Sequence, residues 1–319
     1  MPHPIPSGTS HAAGLVLVVG ATGALGRPVV KLLRERGVPV RALSRHPGQG
    51  ADLAARGAEV VAGDLTDAAS LQRACAGAAR VLVSAHSILG RGRWRSEAVD
   101  DAGQRALIAA AKAAGVRRFV YTSAFGAGPE HPIDFFRTKH GIEVAVRASG
   151  LDAVILRPTS FMEQHVHLFN GAAVLANGKA RLIGPGSKPR NFIRAADIAP
   201  LAVRALLEDP PPFRTLDIGG HDHASNAEVA ALYAREAGIA LRASHLPAGV
   251  ARVIGTLAAP LHPGLARIMK LMSLPDDAFS ERFDGAAALE QRLGVRLMRL
   301  DEFVRERVKE WRARPATGG

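Results

Sequence analysis

A glycine-rich turn between an apolar run and an amphipathic segment constrains the fold of this chain more than any other feature. The apolar run covers residues 15–19, and the sequence Gly-Ala-Thr-Gly-Ala-Leu-Gly follows it directly at 20–26. A continuous apolar run of this length is typical of a parallel strand that is covered on both faces. Leu25, Val29, Leu32 and Leu33 then fall on one face of a helix that Gly37 would end.

This strand, turn and helix are the setting in which a glycine-rich motif binds the pyrophosphate of a dinucleotide. The first glycine permits a tight turn, the second lets the backbone approach the pyrophosphate, and the third lets helix and strand pack closely. Free N–H groups at the start of the helix would face the phosphates. An ordinary tight turn is the alternative interpretation. The cofactor-binding residues predicted here are Gly20, Thr22, Gly23, Ala24, Leu25 and Gly26.

Further short β-branched runs alternate with helical patterns as far as Pro158. This regular alternation predicts an α/β fold with a doubly wound parallel sheet. Beyond Pro158 the pattern becomes mainly helical, with a Gly-, Lys- and Pro-rich stretch at 177–190 that predicts a hairpin or loop. We therefore predict a disordered leader at 1–13, a Rossmann domain at 14–158, and a smaller, mainly helical substrate lobe at 159–319 whose segments at about 190–220 return to the sheet.

The end of the second predicted strand indicates which dinucleotide is bound. NAD sites usually place a carboxylate there, which accepts hydrogen bonds from the ribose hydroxyls. No Asp or Glu occurs between Arg36 and Ala51, and the strand instead ends in Ser44 and Arg45. Arg45 can pair with a 2′-phosphate, with Ser44 as a neutral donor beside it. The pattern therefore favours NADP(H) over NAD(H), although Arg45 could also be a solvent-facing arginine.

Ligands of doubly wound sheets lie beyond the carboxyl ends of the strands. Asp64 and Leu65 end the third predicted strand, where they could hold the adenine. Asp64 could equally be a turn or helix-capping residue. Ser84 and Ala85 follow the fourth strand, and we expect both to line the cofactor site together with His86.

Several motifs occur in order: GATGALG, RALSR, GDL, YTSA, then Lys139 with Glu143 four residues later, and LRPTSFME. Together they resemble the NmrA-like, atypical branch of the short-chain dehydrogenase/reductase superfamily. The resemblance runs from about residue 15 to 163. It implies a Rossmann fold, NADP(H) binding and a substrate cleft between the sheet and the C-terminal lobe. Members include reductases of quinones, dyes or aromatic metabolites, and non-catalytic proteins that sense the cofactor's redox state.

The resemblance places the catalytic machinery on Lys139 and Ser123. Lys139 would hold the nicotinamide ribose, and Ser123 would polarise a substrate carbonyl, although the register could put Ala124 there instead. Pro158 and Phe161 would lie against the nicotinamide. Lys139 could otherwise be a plain surface lysine.

One departure from the pattern bears on activity. Catalytic short-chain dehydrogenases use a Tyr-x-x-x-Lys pair, and four residues before Lys139 stands Phe135, which has no hydroxyl. A quinone-like acceptor could take its proton from water or from His140, although a surface histidine is the favoured interpretation there. We therefore predict an NADPH-dependent oxidoreductase that transfers hydride to a small, apolar, quinone- or carbonyl-like acceptor. The alternative is a non-catalytic NADP(H)-sensing regulator or assembly factor.

Apolar residues after the sixth strand suggest where an acceptor could bind. Met162, Phe161 and Phe169 could form a substrate wall, although core packing would also explain them. Residues 246–274 are apolar with sparse cations and could form a lid, a partner surface or a membrane-facing surface. A helical pair packed on the sheet is the favoured interpretation of that segment.

Composition and residue spacing bear on the other kinds of function that this chain could have. The formal charge of +12 comes without a basic run or interleaved aromatic residues, so nucleic-acid binding is not indicated. The histidine spacing suggests no metal site. The single cysteine, Cys75, is expected to be a buried thiol in a helix, which fits a reducing cytoplasm. We expect a small-molecule substrate and no transmembrane segment, while a homodimer and peripheral membrane contact stay open.

Overall fold

A computed structural model describes residues 14–274 and 281–314, so the predicted leader lies outside the described residues. The first half of the chain alternates strands and helices as its sequence pattern predicts. Its strands are β1 (Val16–Val19), β2 (Val40–Ser44), β3 (Glu59–Ala62), β4 (Arg80–Val83), β5 (Arg118–Thr122) and β6 (Asp152–Pro158). Its helices are α1 (Gly26–Glu35), α2 (Ala51–Ala54), α3 (Ala68–Cys75), α4 (Gln104–Ala113) and α5 (Asp134–Ala148), and a π-helical stretch, Glu97–Gly103, leads into α4.

The second half builds a lobe and also returns to the sheet. Its strands are β7 (Ser160–Phe161), β8 (Lys179–Ile183), β9 (Arg190–Ile193), β10 (Thr215–Ile218), β11 (His223–Ala224) and β12 (Arg242–Leu246). Its helices are α6 (Ala172–Asn177), α7 (Ala195–Leu207), α8 (Asn226–Ala237), α9 (Ala248–Ala258), α10 (Pro263–Met272), α11 (Ala286–Leu293) and α12 (Leu300–Arg312).

The main sheet has seven parallel strands in the order β10, β6, β5, β4, β1, β2, β3. The chain moves outward from β1 to β3 and then crosses back to β4 on the other side of β1. A crevice therefore opens between β1 and β4 at the carboxyl ends of the strands, where such sheets bind their ligands. The predicted fold class, a doubly wound Rossmann sheet with a smaller helical C-terminal part, is confirmed.

Both faces of the sheet are covered, which explains the continuous apolar runs of its strands. On one face α1 and α7 pack on the sheet, and Val29, Leu33, Ile198 and Leu201 are fully buried there. Residues of α11 join the same core. Cys75 lies buried in the core of the opposite face, as predicted, and burial raises the pKa of its thiol to about 11.

Two segments of the second half lie against the main sheet. Strand β10 pairs in parallel with β6, and α7 packs on the sheet, but β9 joins a separate three-stranded sheet with β7 and β11. The predicted hairpin or loop at 177–190 is wrong in part. Strand β8 pairs in parallel with β12, about sixty residues later, and this long-range pairing leaves no local signal in the sequence.

The interpretation of residues 246–274 as a helical pair on the sheet is also wrong. Helices α9 and α10 pack on one another, and α10 closes over a cluster formed by Ile133, Phe135, Phe136 and Leu271 beside the sheet edge. Gly264, at the start of α10, lies so close to Leu89 that a Cβ on it would be 2.5 Å from the Leu89 backbone. Glycine therefore allows α10 to take this position. Helix α10 therefore packs on the start of α5 rather than on the sheet.

Candidate active site

The glycine-rich turn has the geometry that a bound pyrophosphate requires. Gly20 has φ +86°, and a Cβ on Gly26 would lie 2.1 Å from the carbonyl oxygen of Gly20. Only glycine fits either position, because the first backbone is left-handed and the second touches the strand end. At the start of α1, Leu25 offers no side-chain cap. Arg27 donates its N–H to the Gly23 carbonyl oxygen and Pro28 has no N–H, so the N–H groups left for an anion are those of Ala24, Leu25 and Gly26, where the turn enters the helix.

This turn forms the floor of a cleft of about 350 Å³ at the strand-order switch. The cleft brings together the predicted residues of four different strand ends. Those in its wall are Gly20, Thr22, Gly23, Ala24, Leu25, Ser44, Arg45, Asp64, Leu65, Ser84 and Ala85. Gly26 is not in the wall, which agrees with a packing role.

At one end of the cleft, Trp94 contacts both Arg45 and Asp64. No sequence motif indicates this tryptophan. The indole Nε1 of Trp94 donates to Asp64 Oδ2 at 2.8 Å, and the Arg45 guanidinium lies 5.7 Å from the indole centroid. Asp64 also accepts from the backbone N–H of Thr66 at 2.9 Å, so its turn role is real as well. Burial raises the pKa of Asp64, but these hydrogen bonds hold it below its usual value. Asp64 is therefore an ionised anchor for Trp94.

The hydroxyl of Ser44 is held by its own turn. Its Oγ donates to the carbonyl oxygen of His46 at 3.0 Å and accepts from the His46 N–H at 3.2 Å. This turn ends β2 and sets the direction in which Arg45 leaves the strand.

A second cavity continues from the first. Ser84, His86, Phe161 and Gln164 belong to the walls of both. Beyond this junction the wall is mostly apolar. It contains Ile88, Leu89, Phe125, Phe135, Phe136, Phe169, Ile268 and Leu271. Of the predicted substrate wall, Phe161 and Phe169 line this cavity, whereas Met162 does not, because it is buried in the core of the C-terminal lobe.

Lys139 lies in the wall of this second cavity, almost fully buried in the second turn of α5. Its Nζ donates to the carbonyl oxygen of Thr122 at 2.9 Å, and it lies over the rings of Tyr121 and Phe135 at 5.0 and 5.5 Å. Burial lowers the pKa of Lys139 to about 8, although the carboxylates of Asp100 and Glu143 act to raise it. Lys139 is therefore not a surface lysine.

A hydrogen bond to Glu143 occupies the hydroxyl of Ser123, which was predicted to polarise a substrate carbonyl. Ser123 Oγ lies 2.6 Å from Glu143 Oε1, and Arg157 binds the same carboxylate through two hydrogen bonds. Burial raises the pKa of Glu143, but the Arg157 and Ser123 hydrogen bonds lower it to a value below the usual one. An ionised carboxylate can only accept, so Ser123 must donate its proton to Glu143. Ser123 lines the cavity without a free proton for a substrate oxygen.

The remaining residues singled out from the sequence differ in whether they line the second cavity. Pro158 lines the cavity with Phe161. His140 is half-buried and lies outside the cavity wall, so it is no proton donor there. Residues 14–274 and 281–314 contain no group of three or more His, Cys, Asp or Glu side chains that could hold a metal ion.

Comparison with known proteins agrees with this arrangement. The model of the NmrA-like family matches residues 12–304. The chain belongs to the NmrA-like family. The match extends well beyond the motifs of residues 15–163 and includes the C-terminal lobe.

Relatives of this NmrA-like chain have differing roles. The NAD(P)H azoreductase of Xenophilus azovorans is 33% identical over 229 residues, which cover 72% of this chain and 76% of that protein. Photosystem II assembly factor Ycf39 of Cyanophora paradoxa is 27% identical over 232 residues, covering 73% and 71%. The NADPH-dependent quinone oxidoreductase of Escherichia coli, solved with NADPH, superposes with a TM-score of 0.64 at 24% identity, covering 91% of this chain and 99% of that one. The last likeness shows the fold alone.

Proposed function

We propose that this chain is an NADP(H)-dependent oxidoreductase that transfers hydride to a small, apolar acceptor of quinone- or carbonyl-like chemistry. One observation carries the proposal: the dinucleotide cleft runs into a separate apolar cavity through a shared junction, and Lys139 lies in the wall of that second cavity. A site that only held a cofactor would not need this second cavity. An acceptor there would lie against the end of a dinucleotide that starts at the glycine-rich turn.

The assignment of NADP(H) rests on the end of the cleft that contains Arg45, Asp64 and Trp94. A 2′-phosphate beside the adenosine ribose would meet the Arg45 guanidinium over the Trp94 ring, with no carboxylate at the end of β2 to repel it. The azoreductase relative is named for NAD(P)H, which agrees with this choice.

Lys139 would supply what the absent tyrosine supplies in related enzymes. The cofactor, when bound, provides the hydride. Phe135 occupies the tyrosine position and presents only an apolar ring to the cavity. An ammonium whose pKa is about 8 is still protonated at neutral pH and gives up its proton readily, so it suits protonation of an acceptor oxygen. Thr122 holds this ammonium in place through its carbonyl oxygen.

The aromatic wall restricts the acceptor. Phe135 and Phe136 meet edge to face with centroids 5.7 Å apart, and Leu271 of α10 packs against them. Flat, apolar molecules fit such a wall better than sugars do, because a sugar's hydroxyls would lose their hydrogen bonds to water there.

A non-catalytic NADP(H)-sensing regulator or assembly factor is the second candidate. Phe135 in place of the tyrosine favours it, and so does the likeness to a photosystem II assembly factor. In that case the cofactor would order the cleft for a protein partner.

Stopped-flow and steady-state oxidation of NADPH against quinones, azo dyes and carbonyls separates the two. The reductase predicts turnover with at least one apolar acceptor, a large loss in Lys139→Ala, and no loss in the exposed-lysine control Lys112→Ala. Tight NADPH binding with no turnover on any acceptor would instead support the regulator.

We further propose that the chain works in a reducing cytoplasm, which its single buried thiol supports. No helix in the described part of the chain is long and apolar enough to cross a bilayer. A homodimer and a peripheral membrane contact are both left open by the sequence.

A further inference from the structure

Helix α9 presents its large apolar side chains to solvent. Val250, Val253, Ile254 and Leu257 recur at intervals of three and four residues, and the side chain of Leu257 is 75% exposed. The buried face of α9 carries only small residues. Gly255, for example, lies so close to α10 that a Cβ there would be 2.9 Å from Met269. A surface helix of a globular protein normally has the opposite arrangement, so this face is suited to a partner.

The surroundings of this face are basic. No Asp or Glu occurs between Glu236 and Asp276 in the sequence, whereas Arg252 and Lys270 stand exposed on α9 and α10. These two cations line a groove of about 550 Å³ between the helices.

The groove keeps a positive charge. Its two carboxylates, Asp134 and Glu97, both pair with Arg267, which lies at the base of the helix pair. Neither Arg252 nor Lys270 forms an ion pair with a carboxylate of the described residues. Thr256, which lines the groove, lies one turn from Val253 on α9, so the groove runs along one edge of the apolar face.

We propose that the outer face of α9 and the adjoining groove bind the surface of an anionic phospholipid bilayer. The four apolar side chains would enter the boundary between headgroups and acyl chains, and Arg252 and Lys270 would contact lipid phosphates. An in-plane amphipathic helix with cations at its border is the usual form of such binding, and each cation near an anionic surface adds to the affinity.

A second copy of this chain fits the same face less well. Two copies meeting there would bring together two segments that carry Arg252 and Lys270 and no acidic residue to offset them. The formal charge of +12 acts in the same direction. An anionic surface complements both the apolar side chains and the cations.

Docking would also place the second cavity close to the bilayer. Helix α10 carries Ile268 and Leu271 in the wall of that cavity, so one helix pair would contact both the lipid and the acceptor site. Delivery of a membrane-dissolved acceptor would rest on the proposed function, whereas docking itself does not.

The test is co-sedimentation of the full chain, without cofactor or acceptor, with vesicles of phosphatidylcholine alone or mixed with phosphatidylglycerol. We expect binding to the mixed vesicles that is about tenfold or more tighter than to neutral ones and that weakens with salt. Leu257→Glu should weaken it about tenfold, and Arg252→Ala and Lys270→Ala about fivefold each. Val144→Glu, at an exposed valine on α5, is the matched control and should change binding by less than about twofold.

Thermal melting monitored by circular dichroism confirms that each variant is folded, and light scattering gives its oligomeric state. Absence of vesicle binding, equal binding to both vesicle types, or equal effects of Leu257→Glu and Val144→Glu would overturn the proposal. A dimer that Leu257→Glu dissociates, without vesicle binding, would assign the face to a second copy instead. Because no cofactor is present, a negative result leaves the proposed oxidoreductase function unaffected.

Discussion

Replacing Lys139 with methionine should stabilise the fold at pH 7 while it impairs NADPH-dependent turnover. Methionine fills a similar volume, so the change removes the buried ammonium without opening a cavity. Lys139 sits between the rings of Tyr121 and Phe135, where an ammonium is poorly solvated. A residue that costs stability and yet lines a cavity is typical of a functional site.

The lowered pKa of Lys139 gives the expected size of the change in the free energy of unfolding. It falls from 10.5 to about 8 on folding, and that difference corresponds to about 3 kcal/mol against the folded state whenever the ammonium is charged in both states. Loss of the hydrogen bond to the Thr122 carbonyl offsets about 1–2 kcal/mol of the gain. We therefore expect the free energy of unfolding to rise by about 1–2 kcal/mol at pH 7.

Urea unfolding of both proteins at several pH values measures this difference. Between about pH 8 and 10.5 the unfolded wild-type chain holds a proton on Lys139 that the native chain has released, so rising pH stabilises the wild type. The variant lacks this contribution, and its advantage should therefore shrink across that window. Other groups titrate alike in both proteins and cancel in the comparison.

The control is Lys112→Met, at an exposed lysine on α4, which should change stability by less than about 0.5 kcal/mol. A clear destabilisation by Lys139→Met at pH 7, or an advantage that does not change with pH, would refute the argument that the ammonium is buried at a cost.

Three further predictions concern the cofactor and the proton. Arg45→Ala should weaken NADPH binding in calorimetry about tenfold or more, because it removes a charge-assisted contact, and should leave NADH nearly unchanged; Arg36→Ala, at the far end of α1, should affect neither. Equal losses for both cofactors would contradict the 2′-phosphate assignment. Gly26→Ala should weaken the binding of both cofactors and lower the melting temperature, because its methyl group would lie 2.1 Å from a backbone atom. The control is Gly48→Ala, whose methyl group would meet nothing within 4 Å and which should melt at the wild-type temperature. Finally, kcat/KM for NADPH-dependent reduction should fall above about pH 8 as Lys139 loses its proton, and an unchanged alkaline limb in Lys139→Met would assign that limb to another group.

The fold class and the family could be predicted from local sequence patterns, and both predictions are confirmed; the same patterns pointed to most residues of the cleft wall. Strand and helix periods are local, and a turn position with positive φ, such as residue 20, favours glycine. The ends of parallel strands must also meet at one edge. The sequence pattern alone therefore assigns Gly20, Arg45 and Asp64, which are far apart in the chain, to one cleft.

Which polar groups are free to act could not be predicted from the sequence. The commitment of Ser123 to Glu143, the anchoring of Trp94 by Asp64, and the pairing of β8 with β12 all join residues that are distant in sequence. No local pattern records such contacts, because they depend on how neighbouring elements pack. The same holds for α9, whose apolar residues are visible in the sequence. Their exposure to solvent could not be predicted, because it depends on how α10 packs beside the second cavity.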